Sequence, residues 1–135
     1  MDYLQMTAPC GLPCFVCYLY LANENEELRS KISDFLGIPP DKTVCKGCRN
    51  EDGRCVHNEQ TCRVYPCASE KKLNFCSECD DFPCDFLHPY ADRSELWHNT
   101  KVFNLCLIKK MGLNHWAETK ASTVQETYSS GKWRL

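Results

Sequence analysis

Apolar positions along the chain fall into short sets at helical spacing, separated by long polar stretches, and no segment alternates as a half-buried strand would. Just after Cys14, the residues Phe15, Tyr18 and Leu19 can share one face, which predicts a first helical region. The next set is Leu28, Ile32, Phe35 and Leu36. It follows Asn25 as N-cap and Glu26 and Glu27 at the positive end of the helix dipole, and Gly37 is placed to close it. Ile38-Pro39-Pro40-Asp41 then stops helical structure and opens an irregular segment through about Thr61, rich in Gly, Asn, Asp and Cys. Pro66 suits the first turn of a short helix running through Ala68 and Leu73, with Cys67 at its start. Past Cys84 helix formers return. A helix from about Asp92 to Met111, closed by Gly112, would carry Val102, Leu105, Cys106 and Lys109 along one stripe. Asn114 would cap another from His115 to about Tyr128, ahead of the Ser129-Ser130-Gly131 break. The expected fold is mainly α. It is one domain over residues 1–135, stabilised by metal, with irregular cysteine knuckles in a metal-binding part at about 8–90 and a helical part at about 91–128.

Composition explains why metal enters that expectation. Of 135 residues, 12 are Cys, a density at which cysteines usually form the framework of a fold. The apolar share of 43% includes them, and without them it falls to roughly a third, below the usual share of a globular domain. Hydrophobic burial alone is therefore thin. The stretch Met1 to Pro9 has neither a basic n-region nor an apolar run of signal-peptide length, and no stretch approaches the roughly 18 apolar residues that cross a bilayer. A cytoplasmic protein is the resulting expectation, and in a reducing compartment cysteines are held by metal rather than by disulfides.

The net charge of −2 is unevenly spread: residues 1–92 carry 9 Lys and Arg against 15 Asp and Glu, whereas residues 93–135 carry 7 against 3. The cysteine-rich part is the acidic one, and each zinc ion closed by four thiolates would add about −2 more. Nucleic-acid binding through that part is disfavoured, no membrane contact is indicated, and another protein is the partner class left open.

The recurrent chemical unit is CxxC, as Cys14-Phe15-Val16-Cys17, Cys45-Lys46-Gly47-Cys48 and Cys76-Ser77-Glu78-Cys79. Two intervening residues let a tight turn aim both sulfurs at one ion, and Gly47 permits the positive φ that such a turn uses. Cys62, Cys67 and Cys84 lie near these pairs without a fixed spacing and are expected to join them, while Cys55 stays undecided. The candidate ligands are thus Cys10, Cys14, Cys17, Cys45, Cys48, Cys62, Cys67, Cys76, Cys79 and Cys84. The simplest four-thiolate set joins Cys45 and Cys48 to Cys76 and Cys79, with Cys62 and Cys67 competing for the same partners. Cys106, alone on an apolar stripe, reads as core.

Zinc in closed sites is the first cofactor reading, and an iron–sulfur cluster on Cys10, Cys14 and Cys17 with one further cysteine is the alternative. The CxxxCxxC spacing of those three is also that of radical-SAM enzymes. Those enzymes, however, are built on a much longer barrel of strands and helices and place an aromatic where Val16 stands. His57, His88, His98 and His115 lack a metal-binding spacing, although His57 lies close to Cys55. Glu78, Asp80, Asp81 and Asp85 read as a solvated acidic face rather than catalytic carboxylates, and Lys71-Lys72 as ordinary surface charge. No catalytic residue emerges.

In order, Ala8-Pro9-Cys10-Gly11-Leu12-Pro13-Cys14 with Cys17, Cys45-Lys46-Gly47-Cys48, Cys62 to Cys67-Ala68 with Glu70-Lys71, Phe75-Cys76-Ser77-Glu78-Cys79 and Phe82-Pro83-Cys84 form a specific set. The set resembles the bacterial and archaeal cysteine-rich family catalogued as domain of unknown function 3795. The resemblance extends over about residues 6–120, through Asn104-Leu105, Ile108, Gly112-Leu113 and Trp116. It implies a metal-binding, mainly helical domain without an established activity, and it supplies no catalytic residue. Two departures stand out: the gap between Cys55 and Cys62 is longer, and the tail Lys132-Trp133-Arg134-Leu135 lacks the further cysteine pair that members of the family can carry. The functional expectation is a zinc-binding structural or interaction domain, with electron transfer or redox sensing as the iron–sulfur alternative.

Overall fold

The computed structural model describes residues 1–54 and 61–135 and is mainly helical. Cys55 and His57 lie outside the described residues. Helix α1 (Tyr18–Leu21) is a single turn that buries Leu19, whereas Tyr18, expected on the same face, is exposed. Helix α2 (Glu26–Leu36) has the expected ends: the Asn25 side chain accepts the Leu28 N–H at 3.0 Å, and Gly37 closes it at φ 67°. Arg29 of α2 donates to the Ala22 and Asn23 carbonyls at 3.0 and 2.5 Å, which fixes α2 to the end of α1. Helix α3 (Val64–Glu70) carries Pro66 in its first turn and buries Val64 and Ala68, and Leu73 lies beyond its end.

The long helix expected from Asp92 starts later, as α4 (Lys101–Met111). Before it the chain makes two 3₁₀ turns, Ala91–Arg93 and Trp97–Thr100. Asn99 accounts for the break. Its amide accepts the Tyr90 N–H at 3.2 Å and donates to the Tyr90 and Arg93 carbonyls at 3.3 and 3.2 Å, so the side chain competes with helical pairing. The helix expected from His115 to Tyr128 is likewise two, α5 (Leu113–Thr119) and α6 (Ala121–Ser130), parted at Lys120. Among the described residues there is no strand, only a bridge pairing Thr7 with Pro13, and no helix is long and apolar enough to cross a membrane.

The helical end supplies the centre of the core. Leu105 and Trp116 are fully buried, surrounded by Ala8, Cys10, Val64, Phe75, Leu87 and Ile108. Phe15 meets Trp116 edge-on, with ring centroids 6.1 Å apart. The buried face of α4 is Asn104, Leu105 and Ile108, one residue out of phase with the expected stripe, and Cys106 is exposed rather than core. Polar Asn104 on the inner face conceals that phase in the sequence.

One contact locks the two ends of the chain together. The bridge at Thr7 and Pro13 closes a tight loop with Gly11 at φ 86°, and a Cβ there would lie 2.9 Å from Leu105 Cγ and 3.1 Å from the Lys101 carbonyl oxygen. A side chain at Gly11 is therefore barred both by its backbone angle and by α4. Gly11→Ala is expected to cost about 3 kcal/mol in denaturant unfolding, and Gly37→Ala, whose Cβ would meet nothing within 4 Å, about 1 kcal/mol. Equal costs would show that α4 does not seat on this loop.

Candidate functional site

The same loop delivers cysteines in two directions. Cys14 begins the 3₁₀ turn Cys14–Val16, and Cys17 ends it by donating its N–H to the Cys14 carbonyl at 2.9 Å. The knuckle Cys45-Lys46-Gly47-Cys48 is brought alongside by Asn23. Its amide donates to the Cys45 carbonyl at 2.5 Å and accepts the Cys45 N–H at 3.2 Å. Gly47 has the expected positive φ, 86°, and a Cβ there would lie 3.4 Å from Cys14 Sγ, so the knuckle lies flat on that thiol. Cys14, Cys17, Cys45 and Cys48 line one small cavity of about 60 Å³, which Arg54, Trp97 and His98 also reach. Cys48 is pushed far above the ordinary thiol range, first by its hydrogen bond with Cys14, then by burial and by the charges of Cys14 and Cys45. Burial likewise pushes Cys17 up, with Cys45 and Cys48 adding to it.

A second group repeats the device. Cys76 begins the 3₁₀ turn Cys76–Glu78, and Cys79 ends it by donating to the Cys76 carbonyl at 3.1 Å, as Cys17 does to Cys14. Cys67 on α3 and Cys84, just before the turn Asp85–Leu87, complete the set. These four line an apolar cleft of about 290 Å³ walled by Val64, Ala68, Leu73, Phe82 and Leu87. Cys76 is pushed up to about 12, chiefly by burial and then by the charges of Cys10, Cys84, Cys67 and Cys79. The CxxC pairs are thus matched differently from the sequence expectation: Cys45 and Cys48 face Cys14 and Cys17, and Cys76 and Cys79 face Cys67 and Cys84. Spacing along the chain specifies a pair but carries no information about the partner pair.

Cys10 and Cys62 stand between the two groups. Cys10 is buried in the core and lines neither cavity, although its electrostatic neighbours include Cys48, Cys62 and Cys76. Cys62 is half-buried against the same core, and its N–H donates to the Gly53 carbonyl at 3.3 Å. The CxxxCxxC segment is therefore divided, with Cys14 and Cys17 turned to one cavity and Cys10 to the core. Among the described residues, no three His, Cys, Asp or Glu side chains stand close enough around one point to hold a metal ion.

Three side chains to which the sequence assigned no role in the site help to organise it. Asn23 clamps Cys45, as above. Arg49 donates to the Thr7 carbonyl at 2.9 Å and the Asn74 carbonyl at 2.5 Å and lies 5.5 Å over the Phe75 ring, joining three segments beside Cys14 and Cys48. Lys71 donates to Cys79 Sγ at 3.2 Å and to Asp81 Oδ2 at 3.1 Å. The acidic residues have local duties of their own: Asp81 pairs with Lys71, and Glu78 accepts the Asn74 N–H at 3.0 Å. No local pattern announces Asn23, Arg49 or Lys71, because each partner is set by the tertiary fold.

The chain belongs to the family described as a protein of unknown function, DUF3795, which matches residues 6–89. The match spans both thiol groups and stops before α4, so it is shorter than the extent suggested by the sequence motifs. No curated protein and no solved structure matches the chain.

The separation of Cys10 from both cavities has a measurable consequence. Burial raises its thiol from 9.0 to about 12, partly offset by Lys101, so folding favours the protonated form. Its contribution is complete below about pH 9 and is lost as pH rises through about 12. Raising the pH from about 8 to about 10 should therefore cost the parent protein about 1 kcal/mol more in denaturant titrations than it costs Cys10→Ala. An identical response of the two would show that burial leaves the Cys10 thiol at its ordinary value.

Proposed function

We propose that the chain is a zinc-binding protein whose metal sites are structural, holding an acidic surface in shape for another protein in a reducing compartment such as the cytoplasm. The observation that carries this reading is the gathering of eight cysteines, spread from residue 14 to residue 84, into two groups of four. Four thiolates are the complete ligand set of a closed tetrahedral zinc site, which contributes folding energy and leaves no open position for chemistry. Both groups are built from turns that place two sulfurs together, and in each the neighbouring thiols help raise the proton affinity of a resident cysteine, Cys48 in the first and Cys76 in the second. A divalent cation relieves that repulsion, and closure around it draws the sulfurs inward. The division of Cys10 from Cys14 and Cys17 favours this arrangement over an iron–sulfur cluster held by those three cysteines.

Removing the metal with a strong chelator should unfold the cysteine-rich two thirds of the chain, seen as lost far-UV ellipticity and a lowered thermal midpoint. An unchanged midpoint after complete chelation would show that the thiols are not the framework. The ligands themselves are tested by substitution. Cys48→Ser and Cys79→Ser should each lose about one of two equivalents of zinc, because three thiolates and a serine make a poor site. Cys106→Ala, at an exposed position, should keep the full metal content and shift stability by less than about 0.5 kcal/mol. Loss of an equivalent from the Cys106 variant but not from the other two would reverse the assignment.

A further inference from the structure

Helix α4 is apolar on two sides. Its inner face, Asn104, Leu105 and Ile108, is taken up by the core, and a second stripe, Phe103 and Leu107, lies toward α6. Helix α6 runs back beside α4, because Tyr128 near its end donates to the Ser94 carbonyl at 2.6 Å and accepts from the Asn99 amide at 3.1 Å. Between the two helices is a groove of about 470 Å³, lined by Phe103, Leu107 and Val124 together with Thr123, Thr127 and Tyr128. Phe103 is 58% exposed. A groove that leaves an aromatic ring this open does not enclose a small molecule, but it suits a rod laid along it.

The charges around the groove are of one sign. Among the described residues lining it, Lys120 alone is charged. Exposed Lys110 continues the α4 stripe one turn beyond Leu107, at the same end, and at the other end the chain leaves α6 through exposed Lys132 and Arg134. Glu126, the carboxylate of α6, lies two residues from both Val124 and Tyr128 and so faces away. We infer that this groove docks an amphipathic helix of another protein, with its apolar side on Phe103 and Leu107 and acidic side chains at its two ends. The stretches from Phe103 to Lys110 and from Lys120 to Tyr128 each cover about two helical turns, room for anchors at i, i+3 or i+4 and i+7 of the incoming helix. Two copies meeting groove to groove would bring basic ends together, and the tail Lys132-Trp133-Arg134-Leu135 carries the same charge, so electrostatic complementarity selects an acidic partner over either. None of these residues belongs to a thiol group, so the inference does not rest on the zinc reading.

The test titrates the full chain into a fluorescently labelled peptide of about 15 residues, with leucines at helical spacing on one side and glutamates in its first and last turns. Saturable binding that weakens as salt rises is expected, reduced about tenfold by Phe103→Ala. Lys110→Glu combined with Lys120→Glu changes only exposed positions and gives a second variant. It should weaken binding of the glutamate peptide about tenfold and strengthen binding of the same peptide carrying lysines in place of glutamates. Phe35→Ala, at an aromatic 88% exposed on α2, should leave binding unchanged. Absent binding, or binding indifferent both to Phe103→Ala and to the charge reversal, would overturn the inference. So would self-association of the chain that Phe103→Ala abolishes, which would give the groove to a second copy, or uptake on vesicles of anionic lipid in preference to the peptide, which would give it to a membrane.

Discussion

The seating of the Ala8 to Cys14 loop on α4 is the constraint on which the remaining structure depends. Gly11 lies where only a hydrogen fits between the loop and Leu105, and that closeness allows the helical end to act as a floor for the cysteine-rich part. From this loop the connections radiate by backbone hydrogen bonds. The Pro9 carbonyl accepts the Cys76 N–H at 2.9 Å, the Thr7 carbonyl accepts Arg49, and the Cys14 N–H donates to the Met6 carbonyl at 2.8 Å. Both thiol groups are thus positioned from one short segment. A shift of that segment displaces Cys14 in one group and Cys76 in the other.

Long polar side chains perform much of the tertiary bonding that a richer apolar core would otherwise supply. Asn23 holds the Cys45 knuckle from 22 residues away, and Arg49 ties its own loop to Thr7 and to Asn74. Each such bond is worth on the order of 1 kcal/mol. These bonds orient the knuckles more than they stabilise the whole. The packing of Leu105, Trp116 and their neighbours, Ala8, Val64, Phe75 and Leu87 among them, stabilises both parts, and under the proposed function metal adds to the stability of the cysteine-rich one.

Features encoded within a few residues were legible in the sequence. Asn25 and Gly37 bound a helix, Gly47 turns a CxxC knuckle, and the absence of strand alternation matches a helical fold. Features that depend on the far side of the molecule were not. Asn99 breaks the helix expected from Asp92 because its amide finds Tyr90 and Arg93, and Cys106 faces solvent because Asn104 occupies the inner face. The matching of CxxC pairs is of the same kind: each pair is a local turn, but its partner is chosen by the Gly11 contact and the Asn23 clamp. Lys71 was read as surface charge, which its exposure justifies, and only the position of Cys79 gives it a role.

Two cavities, each lined by four cysteines, underlie the proposed description of the chain as a metal-held scaffold with an acidic face. The description rests on the identity and number of the ions. Elemental analysis of protein purified without oxygen and without added metal decides it most directly. The account predicts about two zinc ions per chain and no absorbance in the visible range, as two closed tetrathiolate sites require. Iron in place of zinc, with the visible absorbance of a cluster, would contradict it.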